Sequence, residues 1–548
     1  MHVRISVAAL SCTALLAACG GNDSRTTSDA SVPVRGGTLT AVVPQPGPCL
    51  DPQVTGTDPQ VIVAHQVLDN LVFENNTGEV EPWLAKSWTI SPDGLVYTFT
   101  LRADVKFTDD TPMNAAAVKA NLDRVLDPKI QSLADAIYLV PVLKSTEAVG
   151  DFVLKVNLKK AYAPLLHFLA QAFIGIQSPA GFSRGREVNC QDPIGTGPFK
   201  IESFTPNAEV RLVRNDNYNS PPPGSQNTGA AYLDRMVLKV VSDPAVAYAA
   251  LNSGEADVIH SPLPQSWKNI KKNANQRLLS QVRPGTPNVI LLGVTKAPLD
   301  DVRVRQAISC AGNVRAALKG AYLDEMKYEA GPLSSATSNY TATSENAYEY
   351  NPAKAAALLD QAGWTGRDAN GYRTKNGVQL KFQLYYSLAA NATAPDVTLL
   401  ENMQFYLKQS GINLVLGQGS ATEVYNMIAA GSITAVKGYS GIAGWYWPTN
   451  TPDVLRLMYT SDGLRAKTNL GGYSNPELDG VLTKAAVTED QQQSQALYAK
   501  AQQMVSNAAL SIPMYPATSR LAYNSKVHGL TVDHALGLPN FYGVWIAK

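Results

Sequence analysis

Trp445, Tyr446 and Trp447 stand in a row inside GWYWPTN, residues 444–450, in a chain of 548 residues that holds only 7 Trp. Flat apolar faces carrying an indole N–H or a phenol O–H suit sugars, aromatic rings and cations. The same rings also plug cores. Pro448 stops the strand or helix that precedes it. If the segment is extended, Trp445 and Trp447 point to one side and Tyr446 to the other. At least two of the three are expected to face a cleft.

Residues for catalysis are poorly arranged. The six His are His2, His65, His167, His260, His528 and His534, and none shows the HExxH or paired spacing of a metal site. His65 lies in an apolar run and reads as a packed or surface residue. Gly195–Phe199, GTGPF, has two glycines but lacks the third of a dinucleotide loop, so it reads as a backbone turn. Glu255 and Asp257 are close in sequence, and paired carboxylates could serve a glycosidase. No enzyme, cofactor or metal is expected.

Composition and charge narrow the partners. The chain is 45% hydrophobic and 17% charged, with 46 Lys+Arg against 45 Asp+Glu. That is the make-up of a globular protein of three or four domains, or fewer large ones. A leader ending at residue 18 would take Arg4 with it and leave the charge balanced. A balanced charge argues against nucleic acid or an anionic membrane surface as the main partner.

The first residues read as a processing segment. Arg4 precedes the short apolar run ISVAALSCTALLAA, which is too short to span a bilayer well. Leu16, Ala17, Ala18 and Cys19 then meet the polar stretch GGNDSRTTSDAS. This resembles a bacterial lipobox, with residues 1–18 as signal peptide, Cys19 lipidated and 19–35 as a flexible tether. Diacylation anchors stably where one chain does not. The body is expected outside the cytoplasm, in the periplasm or on the outer face of the cell membrane. Cys12 leaves with the leader, so Cys49, Cys190 and Cys310 remain. In an oxidising compartment the simplest count is one bridge and one leftover. Cys310 lies on the apolar side of a helix-like stretch, whereas Cys49 and Cys190 lie in proline-flanked loops. Cys49–Cys190 is the expected pair, with connectivity left to distances.

These side chains need positioning elements, and strands and helices alternate along the body. TLTAVVP, from Thr38, reads as a strand and VIVAHQVLDNLVF as an apolar helix. In YTFTLR, Tyr97, Phe99 and Leu101 alternate with polar residues as in a half-buried strand, and SPDG before it is a turn with Gly94 free to take positive φ. Asn114 caps a helix whose Val118, Leu122 and Val125 share a face. NPAKAAALLDQAGW carries Asn351 as cap, Pro352 as first residue and Gly363 as stop. Asn475 and Pro476 repeat that device, a longer amphipathic helix follows, and LSIPMYP reads as a strand. The expected fold class is α/β or α+β in two large lobes.

Taken in order, LDNLVFENNTGEVEPWLAKSWTISPDGLVYTFTLRADVKFTDDTPMNAAAV, PIGTGPFKIESFTPNAEVRLVRNDNY, APLDDVRVRQAIS, YNPAKAAALLDQAGW and GYSNPELDGVLTKA resemble family 5 of the bacterial extracellular solute-binding proteins. These are the oligopeptide-, dipeptide- and nickel-type receptors of ABC importers. The segments keep the family's order across nearly the whole chain. The resemblance implies a two-lobed, periplasmic-binding-protein-like α/β fold of the large, three-domain type II form. Domain I would combine 36–72, 190–284 and 512–548, domain II would span 73–189, and domain III 285–511. Crossings near Arg283–Pro287 and Ala509–Pro513 would form the hinge. It places Glu255 and Asp257 in a helix-to-strand connection.

The resemblance also implies site residues. The segment that begins Gly444-Trp445 would line the cleft. The family's peptide-binding branches typically carry an Asp a few residues after that Trp, pairing with the peptide's α-ammonium. Pro448 stands at that position, and the nearest carboxylate is Asp453. Thr55, Tyr138, Tyr386 and Asn469 match other cleft positions. The implied function is a lipid-anchored receptor of an ABC importer that captures a peptide-like or other small organic solute. Oligosaccharides, aromatic or cationic compounds and metal chelates are the alternatives, and a secreted hydrolase or a ligand sensor the rivals. A monomer working with membrane permease subunits is expected.

Overall fold

A computed structural model describes residues 32–54, 57–127, 129–130, 137–342 and 349–547. Cys19 and Thr55 lie outside the described residues. Among the described residues no helix is long and apolar enough to cross a membrane.

Three sheets organise the chain. The first has seven strands in the order Gln276–Val282, Thr518–Asn524, Val258–His260, Thr38–Val43, Arg235–Val240, Glu209–Arg214 and Phe199–Thr205. Its central strand, Thr38–Val43, runs parallel to both neighbours. Leu39, Ala41 and Val43 enter one apolar cluster and Val42 another, as strand alternation requires. The second sheet has four antiparallel strands between Ala85 and Leu158. Tyr97, Phe99 and Leu101 point into its core. Gly94 takes φ +68° in the turn between its first two strands.

The third sheet orders its five strands Asn413–Gln418, Lys381–Tyr386, Gly441–Trp445, Asn288–Leu292 and Ser511–Tyr515. Both faces are covered. Val289 and Leu291 join one cluster, Ile290 and Leu292 another. Such a strand reads as a continuous apolar run, and NVILL does.

The caps read from sequence are in place. Asn114 accepts from the Ala117 N–H (2.9 Å), Asn351 from Lys354 (2.9 Å), and Asn475 from Glu477 (2.9 Å). One helix is shorter than expected. It spans Asp58–Val67, and Val72–Glu74 forms a strand instead. The Asn70 amide, buried, donates to the carbonyls of Leu169 (3.0 Å) and Gln171 (2.7 Å), fixing an extended backbone there.

Cys49 is bonded to Cys190, with Cα atoms 4.2 Å apart, and Cys310 is free and buried in the helix Val302–Ala311. The chain passes from the seven-stranded to the five-stranded sheet at 283–287. It returns at 516–517, later than the expected 509–513. Residues 511–515 complete the five-stranded sheet by pairing with Asn288–Leu291.

Candidate ligand-binding site

The strand Gly441–Trp445 is central in the five-stranded sheet, parallel to Lys381–Tyr386 and antiparallel to Asn288–Leu292. It ends where Gly444 takes φ +72°, and a Cβ there would lie 1.9 Å from the Asn391 carbonyl oxygen. Glycine is required at 444 for the backbone, whatever it does for a ligand. The loop that follows lies against the crossing segment 283–287. The Trp447 N–H donates to Thr286 Oγ1 (2.9 Å) and its carbonyl accepts from the Thr286 N–H (3.1 Å). Gly285, at φ +115°, bridges to Pro448.

This loop walls a cavity of about 560 Å³, within the usual size range of small-molecule sites. Trp445, Tyr446, Trp447 and Pro448 form one side. Ile137, Tyr138 and Pro141 come from chain next to the four-stranded sheet, Phe173 from the apolar cluster of the seven-stranded sheet, and Ile428, Lys467, Thr468 and Leu470 from chain next to the five-stranded sheet. Tyr138 is 4% exposed, and its ring lies 4.9 Å from that of Phe168, tilted by 30°. Its hydroxyl is sealed from solvent beside Thr449 and Trp447. Burial pushes its pKa up, so it stays a neutral donor.

Tyr446 has a second task. Its hydroxyl donates to Asp58 Oδ2 (2.6 Å) and accepts from the Arg283 guanidinium. Arg283 pairs with Asp58, donates to the Leu536 carbonyl (2.7 Å), and lies over the Tyr446 ring at 5.3 Å. Burial alone would raise the Asp58 pKa, but the Arg283 charge and the hydrogen bonds from Arg283 and Tyr446 outweigh it and hold the carboxylate below its usual value. Tyr446 therefore ties the loop to Arg283 in the crossing and to Asp58 at the start of a helix beneath the seven-stranded sheet.

The profile described as bacterial extracellular solute-binding proteins, family 5 middle, matches residues 79–469. The chain belongs to family 5 of the bacterial extracellular solute-binding proteins. It is 27% identical to heme-binding protein A of Haemophilus influenzae, over 99% of each chain. It is 30% identical to glutathione-binding protein GsiB of Pectobacterium atrosepticum, over 81% of each. NikA from Brucella suis, solved with Fe(III)-EDTA, superposes with a TM-score of 0.79 at 26% identity, over 93% of this chain and 100% of that one. The two-lobed fold is thereby this protein's fold. It is an extracytoplasmic solute-binding protein that works with ABC permeases, and not an enzyme.

The solute-binding protein does not use all of its expected site residues in the cavity. Trp445, Tyr446, Trp447 and Tyr138 are brought together there. Asp453 is not. It is fully buried, receives Arg456 Nε (2.8 Å) and Nη2 (2.6 Å), and accepts from the Tyr162 hydroxyl (3.1 Å). A carboxylate so occupied has no free oxygen facing a ligand amine. Asn469 is also fully buried. Its amide donates to the carbonyls of Thr460 (3.0 Å) and Tyr473 (2.7 Å), and its oxygen accepts from the Gly472 N–H (3.1 Å). It shapes the turn that presents Thr468 and Leu470. Tyr386 ends its strand half-buried beside the apolar core, away from the cavity lining.

Other residues here had no signal in the sequence. Phe173, Lys467 and Ile137 come from unrelated stretches. Across the lobes, the Gln171 amide donates to Thr449 Oγ1 (3.1 Å) and Asn450 Oδ1 (2.7 Å). The Asn450 amide donates to Glu74 Oε2 (2.6 Å) and the His167 carbonyl (2.7 Å). A second cavity of about 560 Å³ lies beyond Thr451 and Pro452, lined among others by Glu79, His167, Asn339, Glu489 and Tyr498. Its two carboxylates are solvent-exposed, whereas Tyr138, Phe173, Thr468 and Leu470 of the aromatic cavity are buried. The aromatic cavity is the more apolar site.

Proposed function

We propose that this protein captures a small organic solute in the aromatic cavity between its lobes and presents it to an ABC permease while tethered through lipid on Cys19. The observation that carries the reading is the cavity itself. Residues distant in sequence, Tyr138, Phe173, Trp445 and Trp447, converge on one largely apolar space of ligand size. Domains I, II and III follow the boundaries above, except that domain III runs on to residue 515 and domain I resumes at 516, and the segments at 283–287 and 516–517 act as the hinge. A solute touching both walls favours the closed arrangement by its differential affinity.

The occupancy of Asp453 by Arg456 bears on the solute. A peptide's α-ammonium needs an acceptor when buried, and Pro448 offers none. A non-peptide solute fits the lining better than an ordinary peptide. Relatives named for heme and nickel are compatible with that range. Among the described residues no group of three or more His, Cys, Asp or Glu could hold a bare metal ion, so a metal would travel as a chelate. Native mass spectrometry of the purified chain, then denaturation and identification of what is released, tests the reading. A single non-peptide mass lost in Trp447→Ala supports it. A ladder of short peptides would restore peptide capture.

A further inference from the structure

The charge of the cavity lining carries a narrower statement, which rests on the function proposed above. Among the described residues that line it, Lys467 is the one charged side chain, and it stands at the exposed rim. Its Nζ donates to the Ala429 carbonyl at 3.2 Å. An ammonium has three N–H donors, so two remain for a ligand. The nearby carboxylates are already engaged. Asp58 is held by Arg283 and Asp453 by Arg456. Deeper in, the Tyr138 ring closes the wall, with its hydroxyl sealed beside Thr449 and Trp447. Between rim and floor the walls are Trp445, Trp447, Phe173, Ile428, Leu470 and Pro448, which offer faces and edges but little polarity.

A cation would meet aromatic faces favourably, but would also meet Lys467 and find no free carboxylate among these residues. An anion meets the ammonium without opposition.

We propose that the solute is a flat, largely apolar organic acid. Its ring system lies between the Trp445 and Trp447 side and Phe173, and its acidic group is held at the rim by Lys467. Lys467 is then the residue that selects charge, and the two Trp select shape.

The test uses three probes of one shape and different charge: naphthylacetate, naphthylacetamide and naphthylethylammonium. Each is titrated calorimetrically into the full chain, dialysed free of bound solute. The acetate should bind about tenfold tighter than the neutral amide, and the ammonium weakest of the three. Lys467→Gln, an exposed change that keeps the fold, should bring the acetate down to the amide and leave the amide where it was. An ammonium that binds as well as the acetate, or an acetate preference that survives Lys467→Gln, overturns the proposal while capture between the lobes stands. If no probe binds but a solute co-purifies and is lost in Trp447→Ala, that solute decides. An acid on a flat ring upholds the proposal, and a cation or neutral compound ends it. If nothing binds or co-purifies, the interlobe reading falls as well.

Discussion

Replacing Tyr446 with Phe removes the hydroxyl that Arg283 and Asp58 share and leaves the ring in the cavity wall. Leaving a charged pair short of a bond should cost about 1–3 kcal/mol, read as a lower urea midpoint with unchanged slope. A second residue sets a pH dependence away from the cavity. Asp69 is buried under Ser220, Thr196 and Tyr218, and burial, against those three hydrogen bonds, pushes its pKa up to about 7. The unfolded carboxyl titrates near 3.8. Between these values the folded state holds a proton that the unfolded state has released, so stability falls as pH rises through this window. The steepest slope is roughly 1.4 kcal/mol per pH unit. Asp69→Asn should abolish that fall in urea unfolding followed across the window. His260 works the other way. Burial, then the Arg283 charge, lowers its pKa to about 4, so its contribution is full above about 6.5 and is lost as pH falls toward 4. The variant should therefore keep a stability that rises with pH, and a curve unchanged from the parent would refute the assignment. At this scale the sequence located the aromatic row but not the fate of Asp453 and Asn469. Hydrogen-bond partners such as Tyr162, 291 residues from Asp453, are brought near only by folding.

Among elements, the crossing 283–287 is the most constrained. A Cβ on Gly285 would stand 2.0 Å from the Trp447 carbonyl oxygen, on a backbone at φ +115°. Gly285→Ala must push the loop off the crossing or strain it, at about 1–3 kcal/mol for the backbone alone. We expect a lower melting temperature and a shifted tryptophan emission, because Trp445 and Trp447 move with the loop. Unshifted emission would mean that the loop is held independently of the crossing. Helices with their own punctuation were legible. Asn, Pro and Gly at 351, 352 and 363 bound a helix by local chemistry alone. The strand at 72–74 was not, because it depends on a buried Asn70 whose carbonyl partners lie about 100 residues on.

For the whole molecule, Asn450 joins the lobes without lining the aromatic cavity. It receives Gln171 and donates to Glu74 and the His167 carbonyl. Asn450→Ala should weaken the closed state, and a less populated closed state lowers apparent affinity in proportion. Calorimetry should show the Kd for every ligand raised by the same factor, about tenfold, with their rank order unchanged. A change in rank order would place Asn450 in ligand recognition instead. The sequence by itself determined the family, the alternation of strands and helices, the capped helix starts and the aromatic row, since each depends on residue types at short spacing or on segments kept in order. Only the tertiary structure decided which carboxylates are already paired, that Tyr138 and Phe173 meet Trp445 and Trp447, and that Lys467 carries the charge at the rim. Those facts depend on distances between residues remote in the chain, and no local periodicity encodes such distances.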